Sequence, residues 1–361
     1  MKQIIAVFVI WRLVLFLIAG LSPIFISEFG ARFPYYQERL VSTGLPHFVW
    51  SFGNFDGVHY LGIAKNFYAD QYTQAFFPLY PILIKTFSFV TFGNLLISAL
   101  LISNLAFLGA LIIFYKLISQ TYDKNVAKWS CFFLLTFPTS FFFGSVYTEG
   151  IFLLLILASF YLTHHQKILF ASMVGAFASA TRFVGLFLAP FLIDQKKKSF
   201  LPIFIVPVGF LLYVLYLGLK FNNPFYFLSS QGVFGQERAT TNIVLFPQVI
   251  YRYLKIILTT QGLPLANAMI ELSSTILAFA LLLMSYKKVK LEWVLFSFVA
   301  ILIPTLTGTF ASMPRYILIA FPIYVVLAQI KGVKIKILIL CLFSILLILF
   351  TAFFTQGYWV A

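Results

Sequence analysis

Charged side chains are scarce in this chain of 361 residues: aspartate, glutamate, lysine and arginine together make up only 10% of it. A soluble domain is about a quarter charged. Hydrophobic residues reach 61% and the mean hydropathy is +0.99. Apolar runs recur that are about as long as a membrane-crossing helix, roughly 20 residues. Because isolated strands leave backbone groups unpaired in lipid, the sequence predicts an all-α polytopic membrane protein.

Other absences narrow the function. The only cysteines, Cys131 and Cys341, lie inside apolar runs, which excludes a disulfide framework. No Cys/His cluster has the spacing of metal ligands. The sequence has no Walker loop, no dinucleotide fingerprint and no separate soluble domain to bind a nucleotide sugar. An activated substrate is therefore expected to arrive through the membrane.

Basic residues are in excess and give the chain a net charge of +15. Their distribution along the chain is that of a membrane protein and gives no reason to expect nucleic acid as a partner. Lysines cluster in short polar turns between apolar runs, as cytoplasmic loops do. These are Lys116, Lys124, Lys128, Lys167, Lys196, Lys197, Lys198, Lys287, Lys288, Lys290, Lys331, Lys334 and Lys336. Lys2 and Arg12 are assigned to the same side. The N-terminus is then predicted to be cytoplasmic and the C-terminus extracytoplasmic.

The apolar runs predict about eleven crossings in one integral-membrane domain, residues 1–361. The candidate spans are 3–22, 95–116, 129–146, 148–163, 168–181, 183–193, 200–219, 265–285, 291–308, 315–330 and 336–354. Two outer segments, 23–94 and 220–264, are too long for tight turns, and long loops usually carry function. We expect catalysis in the first and substrate binding in the second.

Seven of the ten acidic residues fall on this predicted outer side, where acid–base chemistry is therefore expected. They are Glu28, Glu38, Asp56, Asp70, Glu149, Glu237 and Glu271. Asp56 is the strongest catalytic candidate, because a carboxylate can accept a proton from a hydroxyl or hold a divalent metal. The alternative is that Asp56 only caps a helix.

The segment FDGVHYLGIA (residues 55–64) predicts the helix that carries this aspartate. Asn54 or Asp56 can cap it. Apolar residues that include Tyr60 recur at helical spacing, with His59 on the other face, which is typical of an amphipathic helix on a membrane surface. His59 is either structural or a hydrogen-bond partner of the substrate or Asp56. Tyr60 is a candidate substrate contact.

The next segment, AFFPLYPILIKTFSFV (residues 75–90), contains two prolines that oppose one continuous helix. It predicts a short re-entrant or interfacial helix. Pro78 and Pro81 are structural, whereas the neighbouring aromatic residues, Phe77 among them, are candidates to line a lipid or sugar groove.

Buried charge near the outer boundary gives the remaining candidates. Glu149 is costly near lipid and is expected to face the interior or a cavity. Arg182 and Arg315 are either snorkelling anchors or a clamp for a phosphate, which matches the guanidinium fork. Arg238 adds a further cation in the second outer segment.

Five motifs, taken in order, resemble bacterial relatives of the second mannosyltransferase of GPI-anchor assembly, in the GT-C superfamily of membrane glycosyltransferases. They are FDGVHYLGIA (55–64), AFFPLYP (75–81), FPTSFFFGSVYTEG (137–150), ATRFVG (180–185) and GYWV (357–360). The resemblance implies a GT-C-like helical bundle whose long first outer loop carries interfacial helices.

For function, the resemblance implies inverting transfer of a hexose, usually mannose, from a polyprenyl-phosphate-linked donor to a lipid or glycan acceptor on the outer face. The acidic residue of the superfamily falls on Asp56. Many members carry a second acid two positions earlier, where this chain has Asn54. A divalent cation, Mg²⁺ or Mn²⁺, is therefore left open as a cofactor.

Two other functions remain open on the sequence. A transporter or flippase for lipid-linked or anionic solutes would also have broken helices and buried charge, but with ionisable residues near the bilayer midplane on several helices. A structural membrane subunit fits the composition but leaves the Asp56 segment unexplained.

The charge distribution makes a topological prediction. A reporter fused after Ala361 should be extracytoplasmic, and one inserted into the Lys196–Lys198 turn should be cytoplasmic, because basic turns are retained inside. Paired phosphatase and fluorescent-protein fusions measure this. Finding both reporters on one side would contradict the assignment of the acidic residues to the outer face.

Overall fold

The computed structural model describes residues 2–30, 33–193, 199–234, 238–239 and 242–360. Helices and their connections account for these ranges, and no β-strand occurs within them. Five residues discussed above, Lys196, Lys197, Lys198, Glu237 and Ala361, lie outside the described residues. The prediction of an all-α chain is confirmed for the described part.

The helices follow one another along the chain with short connections. Their bounds are α1 (Lys2–Phe25), α2 (Tyr36–Arg39), α3 (His47–Trp50), α4 (Asp56–Asn66), α5 (Leu79–Phe87), α6 (Leu95–Thr121), α7 (Lys124–Thr136), α8 (Glu149–His164), α9 (Ile168–Ser179), α10 (Leu201–Ile205), α11 (Pro207–Phe221), α12 (Tyr226–Gln231), α13 (Phe246–Thr259), α14 (Leu263–Ser285), α15 (Leu291–Thr305), α16 (Met313–Tyr316), α17 (Pro322–Ala328) and α18 (Val333–Thr355). Short 3₁₀ segments join several of them, the longest being Phe183–Leu192.

In the part of the chain that the structure describes, five helical stretches are long and apolar enough to cross a membrane: α1, α6, the consecutive α10 and α11, α14 and α18. Each contains or overlaps a predicted span. The other predicted spans fall on shorter helices, so a count of about eleven crossings stays a prediction. A multi-pass membrane protein is nevertheless the architecture that these helices form.

Proline explains why two predicted spans are broken. The run 129–146 stops as a helix at Thr136, and Phe137 adopts an extended ψ of 137°. The residue before a proline is forced away from helical geometry, and Pro138 follows. The run 315–330 is likewise divided, with α17 restarting at Pro322. Broken helices place irregular backbone inside the protein, where it can line a cavity.

The core lies where α6, α7, α8 and α17 pack together. Every residue of α17 is buried. Phe107 of α6 stacks on Phe143 at 4.2 Å between ring centroids. Exposed leucine, isoleucine and phenylalanine side chains cover the outside of the long helices, as expected for helices in contact with lipid.

The helix predicted at Asp56 exists but its environment differs from the prediction. Helix α4 begins at Asp56, and no side chain caps it, so neither Asn54 nor Asp56 acts as the cap. Most of its residues are buried, Val58 and Leu61 as well as Tyr60. The prediction of a helix lying on the membrane surface is therefore wrong: surrounding elements cover both faces of α4.

Arg12, assigned above to the cytoplasmic side, is buried within the protein, and its side of the membrane stays a prediction. Arg12 is 8% exposed, and its guanidinium carbon lies 4.0 Å from the ring centroid of Phe16 and 4.4 Å from that of Phe52. Phe52 belongs to the predicted first outer segment. Aromatic faces attract a guanidinium, so Arg12 is held inside the protein.

Helices α9 and α11 approach each other unusually closely at Gly209. A Cβ at this position would overlap the carbonyl oxygen of Ala176 and lie 2.8 Å from Ser179 Oγ. Ser179 Oγ also accepts a hydrogen bond of 3.1 Å from the Phe210 amide and donates one of 2.6 Å to the Val206 carbonyl. The close contact between α9 and α11 therefore requires glycine, which has no side chain, at position 209.

We predict that Gly209→Ala destabilises the protein despite the better helix propensity of alanine. Overpacking costs about 1–3 kcal/mol, which exceeds the gain of about 0.5–1 kcal/mol from removing a helical glycine. Gly218→Ala is the matched control, because its Cβ would meet nothing nearer than Pro224 Cβ at 3.7 Å. Thermal unfolding in detergent should show a lower midpoint for Gly209→Ala only; equal midpoints would contradict the close-packing argument.

Candidate active site

Two carboxylates and two guanidinium groups form a continuous chain of ion pairs. Arg315 Nη1 lies 2.5 Å from Asp56 Oδ2, and Arg315 Nε lies 3.4 Å from Glu149 Oε1. The same glutamate oxygen pairs with Arg182 Nη2. Arg182 Nε donates a hydrogen bond of 2.8 Å to Thr148 Oγ1. We call Asp56, Arg315, Glu149 and Arg182 the ion-pair chain.

Helix starts and breaks bring these four residues together. Asp56 is the first residue of α4 and Glu149 the first of α8. Arg182 lies at the break after α9, and Arg315 lies in the short helix α16. Helix N-termini favour negative side chains, so both carboxylates stand where the helices stabilise them.

The backbone beside Asp56 is strained and firmly held. Phe55 has φ 59° and ψ −115°, a region that non-glycine residues rarely occupy. Its ring packs against Trp359 at 5.1 Å between centroids. The Tyr147 hydroxyl donates to the Asn54 carbonyl at 2.9 Å and accepts from the Asp56 amide at 3.3 Å. Strain of this kind concentrates at functional sites.

Exposure distinguishes the members of the ion-pair chain. The side chain of Glu149 is 0% exposed and that of Arg315 is 7% exposed, whereas that of Asp56 keeps 22% of its surface open. A buried charge requires a partner, and the two arginines supply it to Glu149. Asp56 is therefore the carboxylate of the chain that a ligand can reach.

A cavity of about 260 Å³ opens beside the ion-pair chain. Six of the eight side chains predicted for the site line it: Asp56, Tyr60, Phe77, Arg182, Arg238 and Arg315. They come from both predicted outer segments and from the breaks after α9 and before α17. Three guanidinium groups and one carboxylate thus face a space that is otherwise largely aromatic and aliphatic.

The two remaining predicted residues lie behind the cavity wall. Glu149 is buried beneath Arg182 and Arg315. His59 stacks on Phe76, a lining residue, at 5.1 Å between centroids. Burial lowers the pKa of His59, opposed by the negative charge of Asp56. Its imidazole is therefore neutral at pH 7 and adds no charge to the site.

Two simpler interpretations are wrong for these residues. Asp56 makes no side-chain cap, so it is not only a helix cap. Arg182 and Arg315 are largely buried and ion-paired, whereas a snorkelling anchor extends its charge into water. Glu149 is buried and paired with both arginines, in agreement with the expectation that it faces the interior or a cavity.

The present arrangement does not fit a resident divalent cation. Mg²⁺ and Mn²⁺ take several oxygen ligands, but in the part of the chain that the structure describes no three His, Cys, Asp or Glu side chains come together. The neighbour of Asp56 is the guanidinium of Arg315, not a second carboxylate, and Asn54 donates its amide to the Phe354 carbonyl at 2.9 Å.

Several residues of the site were not predicted. Tyr316 and Trp359 line the cavity, Tyr147 holds the start of α4, and Thr148 orients Arg182. Tyr147 and Thr148 directly precede Glu149 in the sequence, and Trp359 lies in the GYWV motif. Proximity to charged candidates was the available signal, but it does not reveal which hydroxyl bonds to which backbone.

A second, apolar groove of about 600 Å³ runs beside the first cavity, between α5, α9 and α11. Leu79 and Ala180 line it, and the Leu79 amide donates to the Ala180 carbonyl at 3.2 Å. The residues that follow Ala180, Thr181 and Arg182, line the first cavity. The groove and the cavity therefore meet at one backbone hydrogen bond. Among the described residues that line the groove, only Lys85 is charged.

Comparison of the sequence with known proteins identifies a related family. A sequence model of the family described as mannosyltransferase (PIG-V) matches residues 1–206. The GPI mannosyltransferase 2 of Drosophila pseudoobscura pseudoobscura is 28% identical over 132 residues, which cover 33% of this chain and 28% of that relative. The chain thus spans less than a third of the length of that curated relative. No solved structure matches.

The family match includes three of the four residues of the ion-pair chain, Asp56, Glu149 and Arg182, and ends before Arg315. It covers more than half of the sequence. The chain therefore belongs to the mannosyltransferase (PIG-V) family.

Proposed function

We propose that this protein transfers a hexose, most simply mannose, from a polyprenyl-phosphate-linked donor to a hydroxyl group of a lipid or glycan acceptor on the extracytoplasmic face. One observation carries the proposal. A partly exposed carboxylate, Asp56, faces a cavity that also contains the guanidinium groups of Arg182, Arg238 and Arg315. Such a site offers a base for a hydroxyl and cations for a phosphate.

In this mechanism Asp56 accepts the proton of the acceptor hydroxyl as its oxygen attacks the anomeric carbon. The bond between that carbon and the phosphate oxygen breaks, and the polyprenyl phosphate leaves with the electron pair. Attack from the face opposite the phosphate inverts the anomeric centre. The hydrogen bond from Arg315 to Asp56 Oδ2 fixes the orientation of the carboxylate, which general base catalysis requires.

Arginines stabilise the charge of the departing phosphate in the same scheme. Arg182 and Arg315 are held by Glu149, so their positions are fixed before the donor arrives. Arg238 lines the same cavity, and its Nε is buried without a hydrogen-bond partner among the described residues. Fixed donors aimed at developing charge supply the largest part of many rate enhancements, and a planar fork suits a phosphate.

The apolar groove supports a lipid-linked donor. It opens on α9 and α11 and is lined almost entirely by carbon, as a hydrocarbon chain requires. It joins the cavity at Ala180, two residues before Arg182. A chain lying in the groove would therefore bring its phosphate to the arginines.

The proposed sidedness follows from the two long outer segments. Residues 23–94 contribute Asp56 and Tyr60 to the cavity, and residues 220–264 contribute Phe234 and Arg238. We assign catalysis to the first segment, substrate binding to the second, and the cavity to the extracytoplasmic boundary, with the N-terminus inside and the C-terminus outside.

One observation favours the alternative of a transporter or flippase for lipid-linked or anionic solutes. Arg12, Glu271 and Lys336 are buried in the long helices α1, α14 and α18, and intramembrane charge often marks a transport path. None of the three lines the cavity beside Asp56, which favours the transferase. Transfer of label from synthetic polyprenyl-phosphate mannose to extracted lipids or glycans tests the transferase against the transporter. Movement of intact donor across a vesicle membrane without such transfer would establish the transporter.

We predict that Asp56→Asn abolishes transfer while leaving the melting temperature nearly unchanged. The amide keeps the volume but cannot accept the proton, and loss of a general base costs about 10²- to 10⁴-fold. Turnover of the labelled donor measures the effect. Asp70→Asn is the control. Asp70 lies away from the cavity, where its Oδ2 is 2.6 Å from Arg39 Nη2. Near-normal turnover of Asp56→Asn would reject Asp56 as the base.

We also predict that Arg182→Lys and Arg315→Lys each lower donor use, by KM, kcat or both. Lysine keeps the positive charge but loses the planar fork, and a charge-assisted hydrogen bond is worth about 1.5–3 kcal/mol, or roughly ten- to a hundredfold. Kinetics across a range of donor concentrations measure this. Arg39→Lys is the control: Arg39 lies outside the cavity, so this variant should use the donor like the wild type. If Arg182→Lys and Arg315→Lys also use the donor like the wild type, the phosphate clamp is disproved.

A further inference from the structure

A buried carboxyl group on a membrane-spanning helix lies outside the ion-pair chain. Glu271 of α14 is 6% exposed. Its Oε2 accepts a hydrogen bond of 2.5 Å from the hydroxyl of Tyr253 on α13. An ionisable residue inside a span is costly and is retained for a function. The scheme proposed above gives Glu271 no role.

The Tyr253 hydroxyl is the centre of a compact polar cluster. It lies 3.0 Å from Thr309 Oγ1 and accepts a hydrogen bond of 3.1 Å from the Phe310 amide. Thr309 Oγ1 in turn accepts 3.1 Å from the Ala311 amide. We call Tyr253, Glu271, Thr309 and Phe310 the tyrosine latch.

Glu271 determines the direction of these hydrogen bonds. A tyrosine hydroxyl has one proton to donate and can accept two hydrogen bonds. Because the proton points to Glu271, the oxygen lone pairs face the Thr309 hydroxyl and the Phe310 amide. The carboxylate therefore orients the tyrosine as an acceptor for the 309–311 backbone.

The latched segment leads directly to the ion-pair chain. After Ala311 comes Ser312, with φ 65°, a left-handed conformation that is unfavourable for serine. The Arg315 amide then donates to the Ser312 carbonyl at 3.1 Å. Ala311, Ser312 and Arg315 all line the cavity. A strained turn persists only when its surroundings hold it, and the latch binds the residues immediately before it.

We infer that Tyr253, oriented by Glu271, is a positioning residue: it fixes the 309–312 segment and thereby holds Arg315 against Asp56 for recognition of the donor phosphate. The effect on recognition of the donor phosphate rests on the proposed function. The latch itself rests only on the hydrogen bonds described above. Helix α13 lies in the second outer segment, so this segment acts on the catalytic aspartate through Arg315.

The first test measures the latch without reference to activity. Tyr253→Phe removes the hydroxyl and keeps the ring, which packs on Phe310 at 4.8 Å between centroids. Hydrogen–deuterium exchange at the Phe310 and Ala311 amides should become about three- to tenfold faster, the effect of one lost hydrogen bond. Tyr251→Phe is the control, since Tyr251 is 72% exposed on the same helix. Unchanged exchange in Tyr253→Phe would overturn the latch.

The second test asks whether the latch acts through Arg315. Polyprenyl phosphate is the lipid that remains after the donor has lost its sugar. Its binding is measured for Tyr253→Phe, Arg315→Lys and the double variant. We expect Tyr253→Phe alone to weaken binding about three- to tenfold at an unchanged melting temperature, and to add little in the Arg315→Lys background, because residues that act together are not additive. Glu271→Gln, which keeps an acceptor oxygen, should have a smaller effect than Tyr253→Phe.

The outcomes separate the inference from the proposed function. A wild type that transfers mannose, together with a Tyr253→Phe variant that binds polyprenyl phosphate equally well, overturns the positioning role and leaves the function intact. Independent, multiplying losses in the double variant overturn the route through Arg315. A wild type that neither transfers nor binds any polyprenyl phosphate rejects the proposed function, and the positioning role with it.

Discussion

The burial of Glu149 is the constraint on which the site depends. A fully buried carboxylate is tolerated only beside positive charge, and Arg182 and Arg315 both turn to it. Arg315 is thereby brought to Asp56. The start of α8, the break after α9 and the short helix α16 must therefore keep their positions relative to one another. The positions of the two arginines and the packing of these three elements therefore depend on the same ion pairs with Glu149.

Much of this arrangement was predictable, because the relevant signals are local in sequence. In a chain with so few charges, Asp56, Arg182 and Arg315 are conspicuous wherever they interrupt apolar runs, and six of eight predicted residues line one cavity. The pairing of Asp56 with Arg315, 259 positions apart, has no such signal. It depends on how the helices pack.

The failures have the same physical cause. Periodicity shows that α4 has an apolar stripe, but not that protein covers its other face as well. The distribution of basic residues assigns Arg12 to a side of the membrane, but it does not show that the rings of Phe16 and Phe52 lie against its guanidinium. Length alone cannot decide whether a proline-interrupted run such as 315–330 spans the bilayer. Each error concerns what surrounds an element, which its own sequence does not state.

In the proposed transfer from a polyprenyl-phosphate donor, the charges that face the cavity have a consequence for the energetics of the step. The ion-pair chain is formally neutral, and Arg238 adds one positive charge. A polyprenyl-phosphate sugar, as a phosphodiester, carries one negative charge, which equals in size the net positive charge of the ion-pair chain and Arg238 together. During transfer the leaving monoester gains negative charge while Asp56 gains a proton. In the proposed scheme the net charge within the cavity is then the same for bound donor and bound product, so the step avoids the change in net charge that low-dielectric surroundings make most costly.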